Sequence, residues 1–335
     1  MKMLMTTIRV LCVFFAAVLT AAAQDLSPTI RFEKTNQILL DVGPKGSFDS
    51  CQAKYPSIMK VGDQWWMWYN GRTDDCYTGS IGLAKSVDGL KWTKATHGKP
   101  IFPHGPKGTF DSSKVDHPAV LRFNDRFHMW YTAGDDKSLY TIGYVTSLDG
   151  IGWTRENNAS PVLTAGKSGN FDDRMVLHPS AVRDTEGTLH LWYNGVGPSG
   201  SFRVGHATSR DGIDWERQND GKPVLVPSQV GKFKEDYVYN VHVHLDQGRY
   251  HMWYSAAAPE YGSGGHNCLT YASSDDGTNW KKDSVPTLIS GPPNSIDFYA
   301  TFACFTVRRT DGLWMYYSAA DKKKTYRVSL AQQKQ

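Results

Sequence analysis

Apolar and polar residues alternate in short runs along most of this chain. In "HPAVLRF" (117–123) and "RFHMWYTAG" (126–134) two such runs are separated by Asn124 and Asp125. "TIGYVTS" (141–147) and "IGWTRE" (151–156) follow, joined through an Asp-Gly turn. Alternation with period two, broken by turn residues, predicts antiparallel hairpins. No stretch keeps a helical period. The expected unit is a meander of four antiparallel strands.

The unit recurs. An aromatic pair stands at Trp68-Tyr69, Trp130-Tyr131, Trp192-Tyr193, Trp253-Tyr254 and Tyr316-Tyr317, in steps of 62, 62, 61 and 63 residues. The phrase S-x-D-G-x-x-W follows the first four pairs, at Ser86–Trp92, Ser147–Trp153, Ser209–Trp215 and Ser274–Trp280. "FD" precedes the pairs at Phe48-Asp49, Phe110-Asp111 and Phe171-Asp172, with Phe233-Lys234 in the fourth place. Radially repeated four-stranded units make a β-propeller, so five units predict an all-β, five-bladed propeller. The fifth unit stops after its third strand, "TYRVSLA" (325–331), while "FEKTNQILLDVGPKGSFD" (32–49) matches "WTKATHGKPIFPHGPKGTFD" (92–111). The N-terminal strand is therefore expected to complete the last blade and tie the ring, which removes two open edges.

The first 23 residues change the picture of location. Lys2 and Arg9 precede an apolar run, Leu11–Ala22, that ends in small residues. This pattern predicts a signal peptide cleaved near Ala23. The mature chain, 24–335, is then a single domain, secreted or periplasmic, without a membrane anchor and expected to be a monomer. A net charge of +4 with no basic run gives no footprint for nucleic acid. Aromatic residues at 13% suit half-buried strands and sugar-stacking surfaces alike. Cys51, Cys76, Cys268 and Cys304 remain after cleavage, and two disulfides are expected, Cys51–Cys76 and Cys268–Cys304.

Repetition also sorts residues by role. A residue kept in every unit serves the blade, whereas a polar residue that breaks the repeat at the channel mouth serves a ligand. By this rule the Trp-Tyr pairs, the S-x-D-G-x-x-W turns and Asp49, Asp111 and Asp172 are structural. Asp49 is kept among the ligand candidates as well. Stacked without gaps, the first strands read "FDSCQAKYPS" (48–57), "FDSSKVDHPA" (110–119), "FDDRMVLHPS" (171–180), "FKEDYVYNVH" (233–242) and, more loosely, "SIDFYATFAC" (295–304). The third, fourth, seventh and eighth places vary. They supply Asp173 and Glu235, Arg174 and Asp236, Asp116, and Tyr55, His117, His178 and Asn240. The tails after strand two add Arg72 and Asp74, with Asp135, Asp136 and Glu260 on the rim. Asp116, Asp173 and Glu235 are the catalytic candidates, because carboxylates converging from separate blades suit glycoside hydrolysis. The other candidates, Asp49 and Asp74 included, would bind substrate, with His117, His178 and Arg174 meeting hydroxyls or a sugar carboxylate. No cofactor and no metal set is specified by spacing. A channel ion such as calcium would sit near His178 or His242.

With these residues in view, the chain resembles the five-bladed propeller glycosidases of families 43, 32, 62, 68, 117 and 130. These comprise arabinanases, arabinofuranosidases, xylosidases, invertases and mannoside phosphorylases. The likeness spans the mature chain and rests on the five units, the N-terminal closure and "AKSVDGLKW", "VTSLDGIGW", "ATSRDGIDW" and "ASSDDGTNW". It implies a carbohydrate substrate. The family's catalytic motifs are changed here: Tyr55 precedes Pro56 where an Asp is expected, and Leu177-His178 replaces a Glu-Gly pair. A secreted glycoside hydrolase of the arabinofuranosidase, xylosidase or arabinanase kind is the first expectation. A non-catalytic sugar-binding propeller and a glycoside phosphorylase using Lys54, Arg72 and Arg174 are the alternatives.

Overall fold

The strands follow the repeat. The structure is a computed structural model that describes residues 30–230, 233–257 and 268–334. The signal segment and Glu260 lie outside the described residues. Unit one comprises Gln52–Val61, Gln64–Arg72, Gly79–Ser86 and the two-residue Thr93–Lys94. Unit two comprises Lys114–Phe123, Arg126–Gly134, Tyr140–Ser147 and Thr154–Arg155. Unit three comprises Met175–Arg183, Leu189–Val196, Phe202–Ser209 and Glu216–Arg217. Unit four comprises Tyr237–Asp246, Arg249–Ala257, Cys268–Ser274 and Lys281–Lys282. Unit five comprises Ala300–Arg309, Gly312–Ala320 and Tyr326–Gln333, and the N-terminal Phe32–Leu40 pairs antiparallel with the last of these. Each unit is an antiparallel meander, and among the described residues helix is confined to two three-residue 3-10 turns.

The fourth strands are shorter than the pattern predicts, because the S-x-D-G-x-x-W turn consumes the chain before them. In each turn the Ser hydroxyl and the Asp carboxylate accept the N–H groups of the next few residues. In unit one, Ser86 accepts Gly89 N–H at 2.8 Å, and Asp88 accepts Leu90 and Lys91 N–H at 2.8 Å each. Local side-chain hydrogen bonds of this kind specify a tight turn.

The tryptophans join one unit to the next. Trp68, Trp130 and Trp192 are buried, and each donates its indole N–H at 2.9 Å to the turn glycine of the following unit: Gly150, Gly212 and Gly277. In unit five the place is taken by Tyr316, whose hydroxyl donates to Gly89 of unit one at 3.0 Å. Gln52 of unit one also pairs parallel with Tyr326 of unit five, as Lys114 of unit two does with Gly79 of unit one. Apolar clusters fill the seams; Trp66, Trp68, Ile81 and Leu83 pack against Val115, Val120, Met129 and Tyr131. Removing one such buried tryptophan costs about 3–5 kcal/mol.

The disulfide expectation holds at one place. Cys51 and Cys76 are bonded, with Cα atoms 5.5 Å apart. Cys268 and Cys304 are buried thiols instead. They sit in different apolar clusters, Cys268 beside Val238 and Met252 and Cys304 beside Trp253 and Leu313, and the Cys268 thiol donates to the Ala256 carbonyl.

Candidate functional site

Two layers of side chains arise from the first strands. The lower one is a set of buried carboxylates. Asp49, Asp111 and Asp172 each accept the hydroxyl of their unit's strand-two tyrosine, Tyr69, Tyr131 and Tyr193, at 2.8, 3.0 and 3.0 Å. Each also meets a cation from the fourth strand: Lys94 at 2.6 Å, Arg155 at 2.8 Å and Arg217 at 2.9 Å. Room for the tyrosine comes from a third-strand glycine, since a Cβ on Gly143 would stand 2.3 Å from the Tyr131 ring. In unit five Asp297 does the same with Tyr317 at 3.1 Å and with Lys34 from the N-terminal strand.

Glu235 belongs to this layer. It accepts Tyr254 Oη at 2.6 Å and Ser228 N–H at 3.1 Å, and it is ion-paired with Lys282. Lys234 occupies the aspartate's place in the sequence, and the next residue, longer by one methylene, reaches back to do its work. Glu235 is therefore corrected from catalytic candidate to blade carboxylate, and Asp49 from ligand candidate to the same role. The gapless stacking had also set unit five one residue out. Backbone N–H bonds of Cys51, Ser113, Arg174, Asp236 and Tyr299 to the ends of their own second strands align Asp297 with Asp49.

The upper layer lines the mouth. Every first strand is broken by a bulge, and at each bulge one residue takes a left-handed φ: Tyr55 (56°), His117 (46°), His178 (55°), Asn240 (52°) and Ala303 (44°). For side chains with a Cβ this conformation is uncommon and costs about 1–2 kcal/mol. The residue after the aromatic pair of the preceding unit holds it. Ser318, Thr132, Asn194 and Ser255 accept the bulge N–H groups of Tyr55, His178, Asn240 and Ala303 at 2.8–3.0 Å. The bulges turn four of the predicted residues inward together. Tyr55 and His117 stack with ring centroids 3.4 Å apart, His117 and His178 at 4.0 Å, and Phe302 meets the Tyr55 ring edge-on at 5.7 Å. His178 bonds Asn194 at 3.1 Å.

Asp116 stands beside this floor, 5% exposed, accepting Arg72 at 2.6 Å and its neighbour's His117 N–H at 3.1 Å. Burial alone would raise its pKa; Arg72 and Lys54 outweigh burial and hold the carboxyl below the usual range. It is ionised at neutral pH. Burial, then Arg72, hold the Lys54 ammonium well below the usual lysine range, with Asp116 pulling the other way. Burial, then His178 and Lys54, keep the His117 imidazole neutral, although Asn240 favours its charged form. Burial and Asp116 keep the Tyr55 hydroxyl protonated. Arg72 Nε, both His117 ring nitrogens and Asn240 Oδ1 are buried without a hydrogen-bond partner.

Asp173 accepts Gly169 N–H at 2.7 Å through Oδ2, while its Oδ1 is buried without a hydrogen-bond partner. Arg174 and Asp236 are exposed at the rim. Asp74 is exposed and accepts Ser50 Oγ at 2.5 Å beside the disulfide. Asp135 caps its own loop through Lys137 and Leu139 N–H. Lys114 was missed: it is buried, bonds Tyr140 Oη at 3.1 Å and lies 3.7 Å from the Tyr77 ring centre. It occupies the fifth place of the first strand, which varies between units as much as the places that were read. A cavity of about 640 Å³ is lined by residues of all five first strands, Tyr55, His117 and Asn240 among them, and no carboxylate lines it. Among the described residues no three His, Cys, Asp or Glu side chains converge as metal ligands, and His242 is engaged by Thr306 at 3.0 Å.

No family model matches the chain. An uncharacterized protein of Mycobacterium tuberculosis is 26% identical over 226 residues, 65% of this chain and 71% of that protein. A 1,2-beta-oligomannan phosphorylase of Thermoanaerobacter is 25% identical over 239 residues, 69% and 72% of the two proteins. Among solved structures, a protein described as a glycoside hydrolase superposes with a TM-score of 0.73 at 18% identity, over 91% of this chain and 93% of that one. The fold is that of propeller glycoside hydrolases. A member of family 130, a family of mannoside phosphorylases that contains hydrolases of beta-1,2 mannosidic linkages, gives a TM-score of 0.70 at 14% identity, over 90% and 93%. No helix of the described residues is long and apolar enough to cross a membrane.

Proposed function

We propose that this protein is a secreted glycoside hydrolase, a single domain after a 23-residue signal, whose five units close into a five-bladed ring. Closure is supported by the Tyr316–Gly89 hydrogen bond and the Gln52–Tyr326 pair, which join unit five to unit one. The reacting centre is the mouth pocket at Asp116. One observation carries this assignment: of the three catalytic candidates, Asp116 alone is buried at the mouth, ionised, and next to an aromatic floor with unpaired polar groups. Tyr55, His117 and His178 stack on one another, so a sugar would meet the edges of these rings, with its hydroxyls against His117 and Asn240. The ionised Asp116 then takes a proton from the water that attacks the anomeric carbon, while the glycosidic C–O bond breaks and the leaving oxygen takes a proton from solvent. The experiment is a screen of aryl glycosides and polysaccharides with the mature protein, repeated with Asp116→Asn. The expected result is turnover that falls at least about a hundredfold in the variant. Full activity of Asp116→Asn on a responsive substrate contradicts the assignment.

Lys54, Arg72 and Lys114 around one carboxylate favour a second reading, a phosphorylase, in which phosphate replaces water as the attacking group. Turnover that requires inorganic phosphate separates it from hydrolysis.

A further inference from the structure

Among the described residues the buried charges at the mouth do not balance. Lys54 is 5% exposed and Lys114 3% exposed, and Arg72 is largely buried beside them. Asp116 is the one carboxylate that pairs with any of these three among the described residues, and it is committed to Arg72. The Lys54 ammonium makes no hydrogen bond or ion pair there. Its nearest company is the Tyr55 and Tyr326 rings, with centroids at 4.5 and 5.0 Å. Elsewhere in this molecule buried cations are matched. Lys94, Arg155, Arg217, Lys282 and Lys34 each face a buried carboxylate of the lower layer. Burial and Arg72 push the Lys54 ammonium toward its neutral form, and an anion bound beside it would restore the charge.

We propose that this pocket takes a sugar carrying its own carboxylate, a uronic acid unit of a glycan, with the carboxylate held by Lys54 and Arg72. The inference rests on the pocket assigned above and names its substrate class. An oxyanion at this place is also supplied by free phosphate. The rest of the site favours the sugar acid: the His117 nitrogens and Asn240 Oδ1, buried without a hydrogen-bond partner, are used by a ligand that brings hydroxyls along with its charge. Phosphate alone would leave them empty. Arg72 Nε has no partner, so the guanidinium can add a contact to an incoming carboxylate while keeping Asp116.

Calorimetric titration of the mature protein at low salt tests this, with glucuronate and galacturonate set against glucose and galactose, and with inorganic phosphate as a separate arm. A uronate is expected to bind at least about tenfold tighter than its neutral counterpart, equivalent to one favourable charge contact of about 1.4 kcal/mol. Lys54→Met is expected to erase that preference without lowering the melting temperature. Equal binding of acidic and neutral sugars overturns the proposal. So does Lys54-dependent binding of phosphate with no uronate preference. A uronate preference in a protein that turns over no glycan keeps the proposal while contradicting hydrolysis. Asp116-dependent turnover of neutral glycans with no uronate preference keeps the hydrolase and contradicts the proposal.

Discussion

Glu235 and Asp116 are both buried acids at the start of a first strand, and both hold a cation, yet they belong to different parts of the molecule. Glu235 repeats a contact made in the other four units: a strand-two tyrosine, a carboxylate and a basic residue from the outer strand. Asp116 has no equivalent. In the corresponding places stand Lys54, Leu177, Tyr239 and Phe302. Within one layer charges are matched pair by pair; in the other, among the described residues, Asp116 is the one carboxylate set among Lys54, Arg72 and Lys114. The first arrangement stabilises the blade, and the second leaves an unmet charge where the channel opens.

The sharpest way to break this comparison is to remove one lysine from each layer. Lys282→Met strands the Glu235 carboxylate, whose side chain is fully buried, and should cost about 3–5 kcal/mol in urea unfolding. Lys54→Met removes a buried amine that no carboxylate matches among the described residues, and should not lower stability in the same assay. Equal losses from both would mean that Lys54 is a structural cation like the rest.

The histidines divide in the same way and give a pH test. Burial holds His206 and His242 at about 3, so they stay neutral in the folded chain. Unfolded, they titrate near about 6.5. Between these values the unfolded state binds more protons, so stability falls as pH drops through that window. Each contributes a slope of up to about 1.4 kcal/mol per pH unit. Between about pH 6.5 and 5, above the range where carboxylates titrate, His242→Gln should flatten the measured dependence by up to that amount. An unchanged slope would show that His242 is protonated without cost.

A smaller effect concerns the seams. Tyr316→Phe deletes the hydrogen bond from unit five to Gly89 of unit one and should cost about 1 kcal/mol. A change indistinguishable from zero would count against the joint between the last and first units.

The layered plan was legible in the sequence because repetition reports on packing. The Trp-Tyr pairs, the turn phrase and the early match of residues 32–49 to 92–111 led to the meanders and to the pairing of Phe32–Leu40 with unit five. The site was legible only in part. Variation at the seventh and eighth places pointed to Asp116, Tyr55, His117, His178 and Asn240, which the bulges do bring together. Glu235 escaped because a one-residue displacement in unit four hides a repeated contact behind a changed letter, and a gapless stack cannot show that a longer side chain reaches back. Asp135 escaped for another reason: a loop aspartate that caps its own backbone looks, in sequence, like one that faces a ligand. The buried charge excess became visible only when each cation's partner was known.

The most direct test of the account compares turnover per folded molecule, and melting temperature, for Asp116→Asn and Glu235→Gln. The account predicts that Asp116→Asn remains folded and loses at least about a hundredfold in turnover, while Glu235→Gln melts lower and keeps its turnover. The reverse pattern, an inactive but stable Glu235→Gln beside an active Asp116→Asn, would contradict it.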